Sequence, residues 1–302
     1  MIRVEALSKH YGRHVAVDDL TFSVDGGQVC ALLGPNGAGK TSAMRVLVGL
    51  SRPTGGRVGI LGEPVRLGAD VLRRVGVLID GPAFVPHLTG RANLRLLWTA
   101  TRRPWPPPAL DEALALAGLG PHLDRRVKRY SMGMRQRLML AQALMRDPDV
   151  LILDEPANGL DPAEVRALRA HLATTAARGA AVLVSSHQLA EVQQFATHVV
   201  VMDHGRLVTT GPLDALLDPG DTLRISVDDA GRAVAVLRAA PGVGAVSAQA
   251  GEVLVTAPGV ADGDLIRALV TAGVRVDRAG RTGRSLEDVF IAMTEGNIDA
   301  AG

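Results

Sequence analysis

The stretch V-C-A-L-L-G-P-N-G-A-G-K-T-S-A-M-R-V-L-V-G-L, residues 29 to 50, decides how the chain is read. Val29 to Leu33 is an apolar run without alternation, as in a strand covered on both faces, and the residues after Lys40 are apolar enough for a buried helix. Between them Gly34, Gly37 and Gly39 can take positive φ, so that successive N–H groups converge on one concavity at the helix mouth. That concavity suits an anion. The helix N-terminus contributes about half a positive charge, Lys40 adds a full one, and Thr41 offers a hydroxyl to a magnesium ion. Gly34, Pro35, Asn36, Gly37, Ala38, Gly39, Lys40 and Thr41 fit G-x-x-x-x-G-K-S/T, the P-loop, in the strand-loop-helix setting that gives this pattern its meaning. A nucleoside triphosphate site is therefore expected here.

Upstream, residues 2 to 5 and 15 to 24 read as two strands, with Ser8 to His14 between them, forming a sheet edge before the nucleotide core. Tyr11 could stack on an adenine base or pack at a strand end, and the pattern alone does not choose. Downstream, Val58 to Leu61 and Val75 to Ile79 read as further strands, and Asp80-Gly81-Pro82 as a turn. From Leu88 to about Ala143 the pattern turns helical. Thr89 is placed to cap a helix with Leu94, Leu97 and Trp98 on one face, and Arg103-Pro104-Trp105-Pro106-Pro107-Pro108 reads as a stiff connector to a second helix over Leu110 to Ala117. After the basic run Arg125 to Arg129, Tyr130-Ser131-Met132-Gly133-Met134 opens a third, with Ser131 as N-cap and Gly133 permitting close approach.

Val150 to Leu153 reads as a buried strand ending in Asp154-Glu155-Pro156. Paired acids at the end of such a strand can divide their tasks, Asp154 orienting a magnesium shell and Glu155 polarising a water. Asp161-Pro162-Ala163-Glu164 has the form of a capping box with proline at the first helical position. Ala181 to Val184 delivers Ser185-Ser186-His187 at another strand end. Val199 to Met202 and Arg206 to Thr209 pair across a turn, and Asp218-Pro219-Gly220-Asp221 marks a boundary. A small α+β unit follows: strand Leu223 to Val227, helix Ala230 to Ala239, strands near Val246 and at Val253 to Thr256, helix Asp264 to Thr271, strand Val274 to Asp277. Ser285 caps a final segment with Leu286, Val289 and Phe290 on one helical face.

The 302 residues, 47% hydrophobic, suffice for one large domain and a smaller one. With 33 basic and 31 acidic side chains the net charge is only +2, so nothing in it argues for nucleic acid. Cys30, the single cysteine, lies in an apolar strand and reads as a small buried hydrophobe. The histidines other than His187, among them His10, His14 and His204, lack metal-ligand grouping. Without a signal peptide or a long apolar span, the chain is expected in the cytoplasm, and any membrane connection is expected through a partner.

With these pieces in order, residues 1 to about 215 resemble the ATP-binding subunit of an ABC transporter. Gly34 to Thr41 looks like Walker A, Tyr130 to Met134 like the signature motif, Val150 to Glu155 like Walker B, Asn158 to Asp161 like the D-loop, and His187 like the switch histidine. The resemblance implies a P-loop NTPase of the α/β class, with a mostly parallel core sheet, an antiparallel β edge and a helical subdomain over about residues 84–145. Domains are expected at residues 1–218 and, as a small C-terminal α+β unit, 219–302. It implies two copies facing head to tail, each ATP and its Mg2+ held by Walker A with Ser42, by Thr41 and Asp154, and by Ser131, Met132, Gly133 and Met134 of the other copy. Glu155 would position the attacking water, His187 would contact the γ-phosphate, Tyr11 would stack on adenine, and closure would drive a separate integral-membrane permease. The subunit would then sit peripherally on the inner face of the membrane.

Three departures stand out. The signature reads Tyr-Ser-Met-Gly-Met where Leu-Ser-Gly-Gly-Gln is commonest, Ala157 replaces the usual hydroxyl after the Walker B proline, and Asp80 stands in the place of the Q-loop glutamine, where it is a candidate metal residue. The acid, with Gly81 to Phe84 and His87 to Gly90, resembles the subgroup serving bacitracin-type and lantibiotic resistance, and the tail Leu286-Glu287-Asp288-Val289-Phe290 is similar to that of antibiotic-exporting relatives. Export of an antibiotic, peptide or other hydrophobic compound is expected on this basis. A non-transport ABC ATPase acting on ribosomes, nucleic acid or cluster assembly is the alternative, but such relatives usually carry tandem ATP domains or long coiled coils, which are missing here.

Overall fold

Residues 1–81, 83–217, 222–249 and 252–281 are described by the computed structural model. Ile2–Tyr11 (β1) and His14–Val24 (β2) pair antiparallel, Ile2 opposite Val24 and Tyr11 opposite His14. β1 runs well past its expected end at residue 5. Its buried residues are Ile2, Val4 and Leu7, so the alternation slips by one, and the register shift between Val4 and Leu7 absorbs the slip. A bulge there returns Leu7 to the core face and lets the strand continue.

Val29–Leu33 (β3) is buried at all five positions and leads through the glycine loop into Lys40–Leu47 (α1). Gly55–Ile60 (β4), Glu63–Pro64 (β5) and Val75–Leu78 (β6) follow. Gly90–Thr99 (α2), Leu110–Ala117 (α3) and Met132–Leu144 (α4) supply the helical region. Thr89 Oγ1 accepts from the Ala92 N–H as its capping role requires, and the Trp98 indole donates to the Pro104 carbonyl, fastening the proline-rich connector to α2. Next come Val150–Leu153 (β7), Pro162–Ala177 (α5), Ala181–Ser186 (β8), Leu189–Val192 (α6), His198–Asp203 (β9), Arg206–Pro212 (β10) and Leu213–Leu216 (α7).

Among the described residues, these strands form two sheets. One is antiparallel, in the order β2-β1-β4-β5; the other runs β10-β9-β3-β8-β7-β6, parallel except where β10 pairs with β9. β3 is central, and its unbroken apolar composition follows from that. Cys30 and Leu32 enter one core with β1, β2 and α1, while Val29 enters another with α2 to α5. Burial pushes the Cys30 thiol up to about 12, as an inert core cysteine requires. Because the strands are parallel, the C-terminal ends of β3, β7 and β8 lie at one edge, the usual place for ligand chemistry in such sheets.

The capping box at α5 is fully made. Asp161 Oδ1 accepts from Ala163 and Glu164 N–H at 2.9 Å each, and Glu164 accepts from Asp161 N–H at 3.0 Å. Asp161→Ala is expected to lower stability by about 1 kcal/mol, measured by urea unfolding, with Asp161→Asn recovering most of the loss.

Beyond Leu213 a second compact unit begins. Thr222–Val227 (β11), Ala230–Arg238 (α8), Val246–Gln249 (β12), Glu252–Thr256 (β13), Asp262–Thr271 (α9) and Val276–Arg281 (β14) make an antiparallel sheet in the order β12-β13-β11-β14. This β-α-β-β-α-β succession is the split βαβ arrangement. Leu223, Ile225, Val253 and Val255 meet Ala233, Leu237, Leu265 and Leu269 in its core. The last strand begins at Val276, two residues later than expected: Val274 is buried before the chain reaches pairing distance of β11. The boundary turn 218–221, Pro82 and the segment from Ser285 to Phe290 lie outside the described residues.

Candidate functional site

Backbone geometry builds the loop between β3 and α1. Gly34, Gly37 and Gly39 have φ of 151°, 86° and 97°. Their reasons differ. A Cβ on Gly34 would lie 2.3 Å from the Met202 carbonyl oxygen and one on Gly39 2.2 Å from that of Ala16, whereas Gly37 has nothing within 4 Å. Lys40, 7% exposed, donates from Nζ to the carbonyls of Gly34 at 2.6 Å and Pro35 at 3.1 Å. Burial pulls its pKa below the ordinary lysine value, against the opposing pull of Glu155 and Asp154. The loop opens on a cavity of about 280 Å³ walled by His14 and Ala16 of β2, by Asn36 to Ser42, and by Asp154 and Glu155. The share of β2 in this wall carries no sequence signal, since only sheet packing brings it there.

The acids at the end of β7 meet the loop directly. Thr41 Oγ1 donates to Asp154 Oδ2 at 2.8 Å, and Ser185 Oγ, at the end of β8, donates to Asp154 Oδ1 at 2.5 Å. The Ser185 oxygen also accepts from the Glu155 N–H at 2.9 Å, and the residue has no exposed surface. Ser185 thus orients both acids, although only its proximity to His187 could have drawn attention to it. Ser185→Ala removes one bond from a carboxylate and strands a partly buried N–H. The expected loss is about 1–3 kcal/mol of stability, together with a roughly tenfold fall in turnover as the acids lose their orientation; calorimetry and a phosphate-release assay would read both.

Glu155 stands at φ 48°, unusual for a residue with a side chain. This turn aims its carboxylate at His187, whose Nδ1 lies 2.8 Å from Glu155 Oε2. Gln136 of α4 donates to the Glu155 and Pro156 carbonyls, each at 3.3 Å, holding the same turn from the other side. The arrangement can accept a proton at Glu155 beside a bound polyphosphate.

Ser131 caps α4, accepting from Met134 N–H at 3.2 Å, and Met132 beside it is 75% exposed. The close approach expected at Gly133 is to Gly159: a Cβ would lie 2.5 Å from that carbonyl oxygen. None of Ser131 to Met134 lines the phosphate cavity of its own chain. Tyr11, 43% exposed at the end of β1, also lies outside that wall, with the Lys9 ammonium 4.7 Å from its ring centroid.

Asp80 is not among the residues that wall the cavity with Thr41 and Asp154. Its carboxylate is held by Arg45 of α1, with Nε at 2.9 and 2.8 Å from its two oxygens and Nη2 at 2.6 Å from Oδ1. The chain reverses at this point through φ of 66° at Asp80 and 80° at Gly81, and the carboxylate meets the guanidinium of α1. The remaining donors fit magnesium, a hard cation that takes one or two protein oxygens and completes its shell with water and phosphate. The Thr41 hydroxyl and Asp154 carboxylate are such oxygens, and no larger cluster of His, Cys, Asp and Glu occurs among the described residues. Among those residues no helix is long and apolar enough to cross a membrane.

Residues 17–158 match the family described as ABC transporter. The chain is 34% identical over 304 residues to a bacitracin transport ATP-binding protein of Bacillus licheniformis, covering 98% of each. It is 35% identical over 305 residues to a daunorubicin resistance ATP-binding protein of Streptomyces coeruleorubidus, covering 97% of this chain and 95% of the other. Among solved structures, the ATP binding subunit of an ABC transporter aligns with TM-score 0.67 and 31% identity over 72% of this chain and 91% of that one.

Proposed function

This chain belongs to the ABC transporter family as an ATP-binding and ATP-hydrolysing subunit, and from that premise we propose that it powers export of an antibiotic, peptide or other hydrophobic compound through a separate membrane permease. The observation that carries the export reading is the extent of the likeness. The bacitracin transport and daunorubicin resistance relatives align along nearly the whole chain, including the second unit that a generic ATP cassette would not share.

In this reading the glycine loop and Lys40 take the phosphates, and Glu155 accepts the proton of the attacking water while His187 holds its carboxylate in place. Thr41 and Asp154 would hold magnesium, which supplies charge neutralisation on the phosphates when bound. Because Ser131 to Met134 do not line the cavity of their own chain, the site is read as completed by those residues of a second copy, giving a homodimer. Docked on the permease, the dimer sits at the inner face of the membrane.

The test uses inverted vesicles carrying this chain with its membrane partner, assayed for ATP-dependent uptake of a bacitracin-type peptide and of an anthracycline. Uptake of either that requires hydrolysis supports export. Robust ATPase activity with no uptake of any hydrophobic compound offered would overturn it.

A further inference from the structure

Tyr130 stands where the commonest form of the motif has leucine, and its hydroxyl gives that position a polar anchor. The residue is 5% exposed, and its Oη donates to the His122 carbonyl at 2.7 Å. His122 lies in the short turn Gly120–Asp124, and the same carbonyl accepts from the Arg125 N–H at 2.9 Å. A buried hydroxyl without a partner is costly, so this bond fixes where the ring can sit. Burial pushes the phenol pKa up, which keeps the group a neutral donor.

The hydroxyl also requires a glycine. Gly90 is buried at the start of α2, and a Cβ there would lie 2.4 Å from Tyr130 Oη. Its φ is not positive, so contact and not backbone conformation calls for glycine at this place. The chain around Gly90 is fastened to the chain before Tyr130. Lys128 N–H donates to the Pro86 carbonyl at 2.8 Å, Val127 N–H to that of Leu88 at 2.9 Å, and Gly90 N–H to that of Arg125 at 3.3 Å. Asn93, 1% exposed, holds the other side, accepting from Val85 N–H at 2.7 Å and donating to the carbonyls of Val85 at 3.1 Å and Thr89 at 2.9 Å. Residues 125 to 130 are thus pinned at both ends. Ser131 follows directly, so the place of the α4 N-terminus is set by the place of the Tyr130 ring.

We propose that Tyr130 is a positioning residue for the nucleotide site of a second copy. Its hydroxyl, seated on the His122 carbonyl in the space that Gly90 leaves open, sets the turn that presents Ser131 and Gly133, and so governs ATP-driven pairing without touching nucleotide. The proposal rests on the reading above that Ser131 to Met134 complete the site of a second copy.

The test uses the full chain carrying Glu155→Gln, in which ATP is expected to hold two copies together. Analytical ultracentrifugation reads dimerisation, and a fluorescent ATP analogue reads binding to the dilute single copy. Tyr130→Phe removes the hydroxyl and little else. It is expected to weaken ATP-driven dimerisation about three- to tenfold, the net weight of one hydrogen bond, and to leave single-copy binding unchanged. With Glu155 intact, hydrolysis by Tyr130→Phe should fall at low protein concentration and recover as concentration rises, as mass action requires. Gly90→Ala should act in the same direction by crowding the hydroxyl. Adding it to Tyr130→Phe should cost much less than adding it to the parent chain, because the pair acts through one contact. Tyr130→Leu, which also lacks the hydroxyl, serves the same comparison if the phenylalanine variant does not fold. A lowered melting temperature with dimerisation unchanged would make the hydroxyl a purely structural contact and overturn the proposal. So would equal losses in single-copy binding and dimerisation, or penalties for the two substitutions that simply add. If the Glu155→Gln chain itself stays monomeric with ATP, the two-copy reading fails and takes the proposal with it, a result seen before any change at position 130.

Discussion

Glu155→Gln is expected to bind ATP normally and hydrolyse it about 10²–10⁴-fold more slowly, the contribution of a positioned general base. The amide is nearly the same size, its oxygen can still accept from His187, and the backbone N–H of residue 155 keeps Ser185 as its acceptor. What disappears is the capacity to take a proton from water. ATP should therefore persist in the two-copy site, and the variant should elute as an ATP-bound dimer on size exclusion while the parent chain turns over. Turnover within a few-fold of the parent would remove Glu155 as the base.

The second large effect is steric. Gly39→Ala is expected to abolish measurable nucleotide binding, a loss of at least about a hundredfold, because it combines left-handed backbone strain of about 1–2 kcal/mol with a collision that no rotamer relieves. The new Cβ would stand 2.2 Å from a backbone oxygen of β2, so the loop that carries Lys40 and Thr41 has to move. Gly37→Ala is the matched control: its φ is similarly positive, but its Cβ would meet nothing within 4 Å. It should lose affinity only by the strain, about tenfold. Equal losses in the two variants would show that conformation alone, and not contact with β2, sets the need for glycine at position 39. Circular dichroism would confirm that both remain folded.

Wherever a single element carries its own signal, the chain was legible. Val29 to Leu33 and Val150 to Leu153 are strands at the expected residues because four or five consecutive apolar side chains can be buried only with cover on both faces. Thr89, Ser131 and Asp161 cap helices as expected because a cap is a contact over two or three residues, made by the chain with itself. β1 was cut short because its bulge interrupts the period on which a strand is recognised. The roles of His14 and Ser185 carry no such local signal: neither stands in a motif, and each matters only for what lies opposite it.

The sequence by itself therefore determined the chemistry available to this protein: a phosphate loop, a pair of acids, a histidine at a strand end, and the family they resemble. Only the tertiary structure decided how these groups are used. Thr41 meets Asp154 across 113 residues, and Ser185 meets Asp154 across 31, because parallel pairing sets the ends of β3, β7 and β8 side by side. Asp80 meets Arg45 because the chain reverses as it leaves β6. Local propensities act over a turn or a strand and cannot encode such distances; sheet order does, by burying apolar faces that lie far apart along the chain.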